Sequence, residues 1–93
     1  MSVEFKTIDG KITVFVLRDN DLDYFESAYF DVFNAKYNNL LDLYGTFRLY
    51  DNHLRYLMDL LEIDKSKPKA IQDLLKVVKH CIDNAVTLKV IGE

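Results

Sequence analysis

The sequence predicts a small mixed domain of the α+β or α/β class, and three observations carry that prediction. Alternating apolar residues on both sides of Asp9-Gly10 mark an N-terminal β-hairpin. Apolar residues recurring at three- and four-residue spacing mark about three helices. A last alternating run over residues 86–91 supplies a closing strand. The expected order is ββα(β)ααβ, a mixed small sheet with helices on at least one face.

In the hairpin, a two-residue type I′ turn at Asp9-Gly10 sets the register. Thr7 then faces Ile12, Lys6 faces Thr13 and Phe5 faces Val14. Val3, Phe5, Thr7, Ile12, Val14 and Val16 fall on one face, with Ile8, Phe15 and four polar residues on the other. A hairpin alone is marginal in water, so this one needs a third strand or a covering helix.

Next, Leu22, Phe25, Tyr29, Phe33, Tyr37, Leu40 and Tyr44 form the stripe of a long amphipathic helix, with Asn20 or Asp21 as its N-cap. Residues 46–50 alternate like a strand, although Leu40, Tyr44, Phe47, Asp51, Leu54 and Leu57 also keep helical spacing. The strand is preferred, because one helix of some 40 residues would be unusual in so small a domain. A second helix carries Leu54, Leu57, Met58 and Leu61. A third begins near Pro68, capped by Ser66 or Lys67, and buries Ile71, Leu74, Leu75, Val78, Ile82 and Ala85. Asn84 is its expected stop.

The 93 residues leave room for one domain, spanning 1–93. Twelve aromatics, three glycines and one proline argue against disorder. No apolar run approaches the roughly 20 residues of a membrane span. The absence of a charged-then-apolar leader and the single cysteine, Cys81, give a cytoplasmic expectation. The net charge of −3 is unevenly placed. Residues 1–64 carry six Lys and Arg against twelve Asp and Glu, and residues 65–93 carry six Lys against three acids. The basic face Lys65, Lys67, Lys69, Lys76 and Lys79 is the candidate for nucleic acid, although an acidic chain repels phosphate overall.

Catalytic and metal-binding constellations are not expected. His80 and Cys81 are adjacent on a helix and diverge by about 100°, and no Cys-x-x-Cys or His-x-x-x-His occurs. Asp19, Asp21 and Asp23 alternate like a calcium loop, but Tyr24 and Phe30 stand where Gly and Glu belong, so they read as helix-start acids. Asp51 ends a strand where α/β folds place function, and reads first as a helix cap. Three isolated glycines build no phosphate loop. No cofactor is expected, and the chain reads as a non-enzyme.

In element order the chain resembles the STAS type of domain, found in sulfate transporters and anti-sigma-factor antagonists. Residues 3–17 resemble its opening hairpin, Phe47-Arg48-Leu49-Tyr50-Asp51 its central strand ending in an acid, and residues 71–91 its late helix and strand. Asn52-His53-Leu54-Arg55 stands where that family has its phosphorylatable Ser followed by Gly, so no phosphorylation switch transfers. The resemblance implies a non-enzymatic binding module. Surplus apolar residues point the same way: Ile8, Phe15, Leu17, Tyr24 and Phe30 are the candidate interface of a regulatory or protein-interaction module, expected to be a homodimer.

Overall fold

The structure, a computed structural model, describes residues 2–42 and 44–92. The hairpin strands are β1 (Ser2–Thr7) and β2 (Thr13–Arg18). A helical segment follows as α1 (Asp19–Phe25), a π-helical turn (Glu26–Phe30) and α2 (Asp31–Tyr37). Then come β3 (Thr46–Leu49), α3 (Asp51–Ile63), α4 (Lys69–Asp83) and β4 (Leu88–Gly92). The order is the expected one, and residues 46–49 are a strand.

The four strands lie in the order β2-β1-β4-β3 and pair antiparallel throughout. The antiparallel pairing of β3 with β4 follows from its connection. Two helices separate them, so the chain travels out along α3 and back along α4 before re-entering the sheet. The strands therefore run in opposite directions.

The hairpin turns at Asp9-Gly10, but through a longer loop than a type I′ turn. Such a turn needs positive φ at both central residues, and only Gly10 has it, at +77°. Asp9 instead accepts from the Thr7 hydroxyl at 2.6 Å and the Lys11 N–H at 2.9 Å. The Thr7 N–H donates to the Ile12 carbonyl, and Lys6 pairs with Thr13, as the pattern predicts. Phe5, however, pairs with Phe15, because a bulge leaves Val14 unmatched. One extra residue reverses the facing of the rest of β2. Phe15 and Leu17 turn to the core, and Val14 is exposed.

The core lies between one sheet face and the helices. Val3, Phe5, Leu17, Leu49, Leu88 and Val90 project from the sheet; Leu22, Phe25, Tyr29, Phe33, Leu54, Leu57, Leu61, Ile71, Leu74, Val78 and Cys81 meet them from the helices. Phe33, Tyr37, Tyr56 and His53 form an aromatic knot between α2 and α3, with ring centres 4.7 to 6.4 Å apart.

The long apolar stripe stops short of its predicted end. Asn38 caps α2 in the left-handed conformation, Asn39 follows with φ 63°, and Tyr44 is 77% exposed. Asparagine tolerates that conformation, so an Asn-Asn pair halts the helix where apolar spacing alone would continue it. The Asn34 amide then holds the returning chain, accepting the Leu41 N–H at 2.8 Å and donating to its carbonyl at 3.2 Å. The N-caps also sit one to three residues from those expected: Arg18 for α1, Tyr50 for α3 and Pro68 for α4. Asn84 ends α4 as predicted, although the left-handed residue is Ala85, with φ 54°.

Candidate functional site

The five apolar residues predicted as an interface do not share one surface. Leu17 is fully buried and has no surface to offer a partner. Phe15 is half-buried, edge-on to Phe5 at 6.1 Å, and Tyr24 and Phe30 are half-buried against the core. Only Ile8 is exposed, at 47%. The bulge at Val14 explains the first two. Exposed apolar surface gathers instead at the turn end of the hairpin, where Ile12 is 63% and Val14 37% exposed.

Two shallow grooves flank β3. One, of about 460 Å³, lies between the hairpin loop and the entry to β4 and is lined by Ile8, Arg48, Tyr50 and Val86 among others. The other, of about 500 Å³, follows the free edge of β3 past Leu40, Phe47, Arg48, Tyr50 and His53. Arg48 and Tyr50 belong to both. Neither groove brings a nucleophile, a base and an orienting acid together among the residues lining it.

The basic segment is largely occupied within the chain. Lys69 pairs with Asp73 at 2.6 Å, Lys79 lies 3.6 Å from Glu62, and Lys67 donates to the Asp64 carbonyl at 2.8 Å. That leaves Lys65 and Lys76 with neither an ion pair nor a hydrogen bond from the side chain among the described residues. A second basic feature is non-local and was invisible in the sequence. On the sheet face away from the helices, Lys6, Lys89 and Arg48 stand directly opposite one another across β1, β4 and β3. Their order depends on pairing the first strand with the last.

The polar residues singled out for chemistry have structural partners. Asp51 is the first residue of α3 and pairs with Arg55 Nε at 2.8 Å, one turn on. His53 Nδ1 accepts the Tyr50 N–H at 3.1 Å, which closes the start of α3 and leaves the remaining proton of a neutral ring on Nε2. Burial holds the His53 imidazole below its usual range. Cys81 is buried, and burial raises its thiol above the ordinary value. His80 is exposed and takes a contact from Asn84. Among the described residues, no three His, Cys, Asp or Glu side chains converge to hold a metal.

One arrangement escaped the periodicity entirely. Tyr24 and Tyr29 both donate to Asp64 Oδ2, each at 2.6 Å, while Asp64 Oδ1 accepts the Ser66 N–H. In a regular α-helix, residues five apart point about 140° away from each other. The π-helical turn, whose bonds run i→i+5, brings them to one side. The same turn sets Phe25 edge-on to Phe30 at 5.6 Å. The signal available in the sequence was this pair of aromatic couples at five-residue spacing, Tyr24–Tyr29 and Phe25–Phe30. The hydrogen bonds from the tyrosines, with the Ser66 N–H and Lys67 nearby, hold the Asp64 carboxyl below the usual carboxylate range. The cluster ties the first helical segment to the α3–α4 connection.

No helix among the described residues is long and apolar enough to cross a membrane. Comparison of the chain with protein-family models, with curated proteins and with solved structures finds no match.

Proposed function

We propose that this chain is a non-enzymatic protein-interaction or regulatory module that self-associates through the free edge of β2. The observation that carries the reading is the position of β2. It is an outer strand of the sheet, longer than the other outer strand β3, and it reads Thr-Val-Phe-Val-Leu-Arg, without proline or lysine. An outer strand presents a row of unmatched N–H and C=O groups, and strands of this composition pair readily with another chain. Two copies of β2 related by a two-fold axis pair antiparallel and extend the sheet, each new hydrogen bond contributing about 0.5–1.5 kcal/mol. Ile12 and Val14 lie at the end of that edge and add apolar area. The bulge at Val14 blunts one end of the strand, which limits pairing to a single partner rather than an open stack. A binding role without chemistry is also what the resemblance to STAS-type domains implies.

Light scattering after size exclusion in high-salt buffer, where exposed charge pairs are screened, tests the reading. The wild-type chain should run at twice its 10.9 kDa mass. Val14→Lys or Val16→Lys should return it to the monomer mass with an unchanged circular dichroism spectrum. A wild-type chain that stays monomeric throughout the micromolar range overturns the proposal.

A further inference from the structure

We infer that the open face of the sheet receives the acidic face of the first helical segment of a second copy of this chain. This inference rests on the self-association reading but uses a different surface from the β2 edge. On the open face, Lys6 is opposite Lys89, and Lys89 is opposite Arg48. Like charges directly opposite on one sheet face destabilise it. The local neutralisation is slight. Glu4 lies 3.8 Å from Lys6, and neither Lys89 nor Arg48 makes an ion pair among the described residues. The neighbouring row, Val16–Glu4–Ile91–Thr46, gives a partly aliphatic shelf beside the cations.

The face therefore asks for anions, and three facts select their source. The sheet aromatics Phe5, Phe15 and Phe47 turn toward the core, and Tyr50 beside Arg48 does not make the row of rings on which successive nucleic-acid bases stack. Two copies of this face cannot meet about a two-fold axis, because cation row would oppose cation row. The chain itself carries the complement. Asp19, which opens α1 with φ 53°, Asp23, and Glu26, which opens the π-helical turn, are exposed, follow one another at four and three residues, and make no ion pair among the described residues. Seven helical residues rise about 10 Å. Three adjacent strands, about 4.8 Å apart, span about the same distance. The acidic run can thus lie across β1, β4 and β3 with one carboxylate over each cation.

Such a contact is heterologous, so it propagates into a ring or a chain unlike the closed β2 pairing. It also weakens with salt, because its charges are at least partly exposed to solvent. Two variants test it by sedimentation and light scattering at low and high salt: Lys89→Glu with Arg48→Glu, and Asp23→Lys with Glu26→Lys. Each alone should lose the salt-sensitive association by about tenfold or more, and an equimolar mixture of the two should recover it. If the double Glu variant misfolds by circular dichroism, Lys89→Gln with Arg48→Gln takes its place with the same expected loss. A Val14→Lys chain should keep the salt-sensitive association while losing the β2 dimer. If association is indifferent to salt and vanishes in Val14→Lys, this inference falls and the β2 reading stands. If the mixture fails to recover, or if the wild type binds a fluorescent single-stranded oligonucleotide that the double Glu variant does not, the face serves another partner and the inference is overturned. A monomeric wild type at low salt overturns both.

Discussion

Tyr29 donates its phenol proton to Asp64 Oδ2 at 2.6 Å, joining residues 35 positions apart in the chain. Tyr24 donates to the same oxygen, so a single carboxylate oxygen gathers two hydroxyls. Tyr29→Phe should lower stability by about 1–2 kcal/mol, since Asp64 loses a donor in a partly buried setting. Urea unfolding monitored by circular dichroism measures the change. Tyr24→Phe should cost less, because Tyr24 is the more exposed of the two.

The acid limb of stability should descend in two stages. His53 has its folded value lowered by burial, so the unfolded chain takes up a proton first as pH falls below about 6.5. Stability present above that pH is lost until the folded imidazole also titrates. Asp64 is lowered as well, chiefly by its tyrosine donors, so its contribution is present above about 4 and is lost below it. Melting temperatures of the wild type and Asp64→Asn, compared between pH 7 and pH 3, should converge toward the acid end. A constant gap between them would show that Asp64 does not act through its charge.

Ala85 holds φ at 54° just after α4, where the Val86 N–H reaches back to the Cys81 carbonyl at 2.8 Å. A Cβ in this conformation costs about 1 kcal/mol relative to glycine. Ala85→Gly should therefore raise the urea midpoint, while Ala85→Val should lower it by more. Equal midpoints for Ala85→Gly and wild type would contradict the strain.

Leu17 and Ile8 separate core from surface. Leu17→Ala should cost about 2–5 kcal/mol, whereas Ile8→Ala should stay within about 0.5 kcal/mol of wild type. Chemical denaturation of the two variants side by side gives the comparison.

Cys81 should be nearly inert to a thiol-reactive disulfide reagent at neutral pH, because it is buried and its thiolate is disfavoured. Adding denaturant should release the reaction. Prompt labelling of the native chain would place the thiol nearer to solvent than α4 allows.

Much of this fold was legible because its determinants are local. Ile71, Leu74 and Val78 of the α4 stripe, the stop at Asn84, the pairing of Thr7 with Ile12 and the strand at residues 46–49 all follow from spacing within a few residues, whereas Ala85 is exposed beyond the helix and Cys81 is buried. Val14 was misread because strict alternation admits no extra residue, and a bulge carries no composition signal in a run of β-formers. That single offset moved Phe15 and Leu17 from the predicted interface into the core. The π-helical turn was missed because a period of 3.6 places Tyr24 and Phe30 off the stripe and outward, where five-residue contacts in fact hold them. The row of Lys6, Lys89 and Arg48 needed the β1–β4 and β4–β3 registers, and these depend on the whole chain.

The sheet order has a consequence for how the domain is made. Its two central strands, β1 and β4, are the first and last of its strands in chain order. Phe5 meets Val90 only when nearly the whole domain has been synthesised, and closing that long loop costs roughly 4 kcal/mol of chain entropy. Synthesis runs at about 5–20 residues per second, so the early hairpin waits several seconds with its apolar face uncovered. Folding should therefore be late and all-or-none, slow beside a helical bundle of this size, and most exposed to misassembly during translation.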